Sequence, residues 1–141
     1  MVANHWGEFR RDEFLNDSSV DRKPGLERPG IFFLEPEVVD VTFVDGLWSS
    51  LNADFGTDFD EFEETDISPV LAPAIALRIE QFARAKYGPD MPPIVERRVG
   101  SRASKPLFVR VPSTELLRRL DDLARFLRDE ASIGAVVVAA L

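Results

Sequence analysis

The sequence predicts an α+β fold, a small antiparallel or mixed sheet packed against about three helices. Three observations predict it. Apolar residues recur at helical spacing in three stretches, centred on Leu47–Phe55, Ile75–Ala83 and Leu116–Leu127. Short β-branched or alternating runs lie between and around them, at Ile31–Leu34, Val38–Phe43, Val95–Val99, Leu107–Val111 and Val136–Ala139. The two kinds of segment do not alternate in the regular order of a parallel βαβ sheet.

Residues 1–30 mix charges with Ser18, Ser19, Pro24, Gly25, Pro29 and Gly30 and hold no sustained period. They read as an N-terminal arm, weakly ordered or docked through Trp6, Phe9, Phe14 and Leu15, with a short helix over 8–15 as one local form. Residues 31–141 read as the single α+β domain. Ile31–Leu34, bounded by Gly30 and Pro36, reads as a strand, and Val39, Val41 and Phe43 alternate with Asp40 and Thr42 as a second strand would. The period then changes. Val44, Leu47, Trp48, Leu51 and Phe55 predict a helix over 45–54, stopped by Gly56.

The segment FGTDFDEFEETDISP, residues 55–69, reads as an acidic loop, with one helical turn as an alternative local form. Ser68 and Pro69 resemble an N-cap and first helical residue, but Pro73 would then remove an interior donor, so a start near Ala72 competes. Gly88 and Pro89 end that helix. The alternating runs around Val95–Val99 and Leu107–Val111, joined by Gly100–Lys105, predict a hairpin with a long loop. A helix over 114–130 comes next, with Leu116, Leu120, Leu123 and Leu127 on one face, and then a buried strand over 136–139, with an extension of the helix as the alternative.

Composition excludes several chemistries. The chain of 141 residues has no cysteine, so disulfides, thiolate catalysis and cysteine-based metal centres are absent. No stretch reaches the roughly 20 apolar residues that span a bilayer, and the N-terminus lacks a signal peptide's apolar core, so a bacterial cytoplasmic protein without membrane contact is expected. The net charge of −8 argues against direct nucleic-acid binding. The charge is uneven: residues 31–80 carry one basic side chain, Arg78, against twelve acidic ones, whereas residues 81–141 carry eleven basic against seven acidic.

No motif compels an enzymatic reading, and no cofactor or metal is expected. Asp54-Phe55-Gly56 spells the kinase magnesium motif, but the chain lacks the glycine-rich and catalytic loops that accompany it. Counted from Asp58, an EF-hand would place Phe62, Glu63 and Pro69 at positions needing a ligand, a glycine and a glutamate. The only histidine, His5, lies in the arm. Arg97, Arg98, Arg102, Lys105 and Arg110 gather on the expected hairpin, where they bind an anion or balance the acidic middle of this chain or of a second copy.

The remaining candidate is the acidic loop, Asp58, Phe59, Asp60, Glu61, Phe62, Glu63 and Glu64. Carboxylates steer an encounter with a basic protein and aromatic anchors hold it. The plain structural alternative has the phenylalanines pin the loop to the core while the acids face water. The stretch LWSSLNADFGTDFDEFEETDISPVLAPAIALRIEQF, Leu47 to Phe82, resembles small acidic bacterial immunity proteins. The likeness covers about a quarter of the chain and rests on the acids, the Ser-Pro turn and the amphipathic helix. It implies a non-catalytic inhibitor that occludes a basic partner such as a toxin. A small enzyme or ligand-binding domain with acids in a pocket is the alternative, and a homo-oligomer that pairs acidic middle with basic hairpin is the third reading.

Overall fold

The computed structural model describes residues 6–14, 28–61 and 63–141; His5, the segment 15–27 and Phe62 lie outside the described residues. Among the described residues the order is β1 (Gly7–Arg11), a 3-10 turn (Asp12–Phe14), β2 (Ile31–Leu34), α1 (Pro36–Val44), α2 (Leu47–Phe55), β3 (Glu64–Ile67), α3 (Ala72–Tyr87), β4 (Ile94–Arg102), β5 (Lys105–Pro112), α4 (Ser113–Ser132) and β6 (Val137–Ala140). The strands form a four-stranded antiparallel sheet in the order β2-β1-β6-β3 and a separate β4–β5 hairpin. The fold is α+β, as expected.

The first thirty residues are not wholly an appendage. Residues 7–11, where a short helix was one reading, form an interior strand between β2 and β6. Phe9 points into the core, 6.3 Å from the Phe32 ring and 6.2 Å from Trp48. Gly7 permits close packing: a Cβ there would lie 3.0 Å from Leu141 and 3.1 Å from Val39.

Residues 38–43, expected as a strand, belong to helix α1. Pro36 opens the helix after an extended Glu35, a favourable first-turn position for proline. Val38, Val39, Asp40, Val41 and Thr42 are all buried, so the helix shows no polar face and no 3.6-residue period. Thr42 Oγ1 donates to the Val38 carbonyl at 2.7 Å and accepts from Trp48 Nε1 at 2.9 Å. Burial on all sides outweighs the β-preference of valine.

The other departures are smaller. Ser68 closes the turn before α3 rather than capping it: its carbonyl accepts from Leu71 and Ala72, and the helix begins at Ala72 with Pro73 in the first turn. The hairpin loop is short, because β4 and β5 extend to a two-residue turn at Ala103 and Ser104, both in the left-handed region. The single core unites Phe9, Leu34, Ile67, Val137 and Ala139 from the sheet with Trp48 and Leu51 of α2, Ile75 and Ile79 of α3, and the leucine stripe of α4. Its most extensive helix pairing is α3 against α4.

Candidate functional site

The acidic loop leaves α2 through Gly56, whose positive φ of 67° closes the helix in the left-handed region. Asn52, one turn earlier, clamps the start of the loop. Its Nδ2 donates to the Phe59 carbonyl at 2.9 Å, and its Oδ1 accepts from the Phe59 amide at 2.7 Å and the Thr57 hydroxyl at 2.9 Å. The Phe59 ring is 4% exposed and lies 5.3 Å from Trp48. The Asp58 amide donates to Thr65 Oγ1 at 3.3 Å, which joins the loop to β3. A side-chain clamp, a buried ring and a strand contact thus hold a segment that has no regular structure of its own.

This arrangement sorts the expected residues. Asp58, Asp60 and Glu63 are exposed, and no described basic side chain pairs with them. Asp66 on the edge strand β3 joins them: it is exposed and equally without a described basic partner. Glu64 is engaged internally, 2.8 Å from the buried Arg10 guanidinium. Glu61 is half-buried, and its Oε2 is buried with no hydrogen-bond partner among the described residues. Phe59 faces the core rather than a partner, and Phe62 lies outside the described residues. The sequence places Asp66 among the acids of this segment but not among the candidate site residues. What it does not show is that Glu64–Ile67, expected as loop, is strand β3, because its single buried residue, Ile67, leaves no apolar alternation.

The basic residues of the hairpin also divide. Arg97 faces inward, and its Nε donates to Asp45 Oδ1 at 2.6 Å. The buried Tyr87 hydroxyl donates to Asp45 Oδ2 at 2.7 Å, so one carboxylate ties the corner between α1 and α2 to the end of α3 and to β4. Burial, then the Asp45 hydrogen bond, pushes the Tyr87 pKa far up. Arg97 is likewise raised, first by its hydrogen bond to Asp45. Arg110 pairs with Glu96 across the strands at 3.2 Å, both exposed. Among the described residues Arg98 hydrogen-bonds the Ser101 hydroxyl at 3.1 Å and has no acidic partner, and neither do Arg102 and Lys105.

A cavity of about 620 Å³ lies elsewhere, between residues 28–32 and the second half of α4, with Phe32, Phe126 and Ile133 among its apolar lining. Of its three carboxylates, only Glu130 is buried, and Arg11 holds it through two bonds of 2.6 and 3.0 Å. That pairing leaves no buried carboxylate there free for acid–base work. None of the acidic-loop residues lines this cavity. Among the described residues no three His, Asp or Glu side chains converge as a metal site, and no helix is long and apolar enough to cross a membrane. Comparison with protein-family models, curated proteins and solved structures finds no match to this chain.

Proposed function

We propose that this chain is a non-catalytic protein-binding module that occludes a basic partner, in the manner of an immunity or antitoxin-like inhibitor. The observation that carries the reading is the held acidic surface. Asp58, Asp60, Glu63 and Asp66 are exposed and have no described internal counter-charge, while Asn52 and Phe59 fix the loop that bears most of them. A pre-shaped loop loses little conformational entropy when it binds. Uncompensated carboxylates raise the encounter rate with a cationic surface. An exposed ion pair adds little to folding, so such a cluster contributes more to association than to stability.

The enzyme reading lacks a comparable observation. Asp58, Asp60 and Glu63 face outward, Glu61 is a lone half-buried carboxylate with no second half-buried acid in the loop among the described residues, and the cavity's one buried carboxylate is paired with Arg11. The test is affinity capture from the source cell's lysate with immobilised wild type and with an Asp58→Asn, Asp60→Asn, Glu63→Gln, Asp66→Asn variant. A basic protein retained by wild type at low salt, and lost both in the variant and at high salt, is the expected result. Retention that ignores both changes would overturn the proposal.

A further inference from the structure

The outer half of the β4–β5 hairpin has no visible reason to exist in a lone molecule. From Gly100 to Phe108 not one residue is buried. A two-stranded ribbon is marginal in water unless a face is covered. This one nevertheless carries Phe108, 55% exposed, with Arg98 directly opposite it on the neighbouring strand. Arg102 and Lys105 flank the turn, and neither has a described acidic partner. The arm therefore carries a cation and an aromatic ring, Arg98 and Phe108, on one face and two cations, Arg102 and Lys105, beside its turn on the other.

The same chain carries the complement. Asp58, Asp60, Glu63 and Asp66 lack described basic partners, and the turn after β3 displays Val70, 86% exposed. No described ion pair joins the arm to these acids within one molecule. We propose that the β4–β5 arm docks on the acidic loop of a second copy, so that Arg98, Arg102 and Lys105 meet Asp58, Asp60 and Glu63 while Phe108 packs on the apolar turn at Val70. Each copy owns one arm and one loop, so a closed two-fold pair forms both contacts twice. Exposed ion pairs alone bind weakly, which assigns the apolar share of the contact to Phe108. The inference rests on the reading of the loop as a binding surface and adds a consequence: a foreign basic partner competes with the chain's own arm.

The test is sedimentation of the purified full chain at low and high salt. The wild type is expected to pair at low salt, with pairing weakened on the order of tenfold or more at high salt. An arm variant, Arg98→Glu, Arg102→Glu, Lys105→Glu, is expected to be monomeric at low salt. A loop variant, Asp58→Lys, Asp60→Lys, Glu63→Lys, should be monomeric too. Mixing the two should restore pairs, because each acidic arm then faces a basic loop and each basic arm an acidic one. All the substituted side chains are exposed, and thermal melting matched to wild type confirms that each variant is folded.

A wild type that stays monomeric at millimolar concentration and low salt overturns the proposal, as does pairing that survives both variants. Binding of a short single-stranded DNA by a monomeric wild type, lost in the arm variant, overturns it in favour of a phosphate-binding arm. If pairing fails while lysate capture still depends on the loop, only this inference falls. If neither pairing nor capture depends on the loop, the functional reading falls as well.

Discussion

Tyr87 is the only tyrosine in the chain, and its buried hydroxyl donates to Asp45. Its pKa is raised in the folded protein, so the stability it contributes is present below the unfolded value of about 10 and is lost as pH rises above it. Tyrosinate absorbance is therefore expected to appear only together with unfolding, followed by tryptophan fluorescence. Tyr87→Phe should flatten the alkaline limb of the stability curve; a tyrosinate signal in protein that is still folded would contradict the buried assignment. Asn52 is the second informative residue, since it makes three hydrogen bonds to the loop. Asn52→Ala is expected to destabilise the fold by about 1–3 kcal/mol in urea titration. The same change should weaken partner capture without changing any charge, and unaltered capture would show that the clamp does not shape the binding surface. Nothing in the sequence marked Asn52, because a polar residue on a short helix has many bland explanations. Phe59 misled for the opposite reason: an aromatic among acids reads as a contact residue, yet the ring packs on Trp48.

Elements with one apolar face were legible from their spacing. The leucine stripe predicted α4, which runs Ser113–Ser132, and alternation located the hairpin, while a compact apolar run located β2. Enclosed strands still showed as short apolar runs, but an enclosed helix, or an element marked by a single apolar residue, was not legible. Helix α1 is enclosed, so its valines alternate by chance as a strand would. Strand β1 sat unnoticed in a charged segment because only Phe9 advertises it, while Arg10 is buried against Glu64 of a strand two places away. In the hairpin turn, Ala103 and Ser104 adopt φ of 51° and 65°, a conformation that Asn-Gly holds with less strain. The double change Ala103→Asn, Ser104→Gly is expected to stabilise the protein by about 1 kcal/mol in thermal or urea unfolding. A loss of stability would mean that the turn is not of the two-residue type.

At the scale of the whole molecule, charge is divided by location. Asp58, Asp60, Glu63 and Asp66 form a cluster of exposed acids without a described basic partner at the loop and β3, whereas Asp12, Glu37, Asp90 and Asp129 are exposed acids without one at other places in the fold; on the hairpin, Arg98, Arg102 and Lys105 have no described acidic partner. The sequence announced this asymmetry, since residues 31–80 hold a single basic side chain. Folding then decides which charges pair internally: Asp45 with Arg97, Glu35 with Arg119, Glu64 with Arg10 and Glu130 with Arg11. Under the proposed function, the cluster left over at the loop is the surface offered to a partner. The most direct measurement compares two variants of equal net charge in capture of the basic partner. One neutralises Asp58, Asp60, Glu63 and Asp66; the other neutralises Asp12, Glu37, Asp90 and Asp129, which are also exposed but lie outside the loop. Loss of capture in the first alone is the predicted result. Equal loss in both, or in neither, would contradict a binding site at the acidic loop.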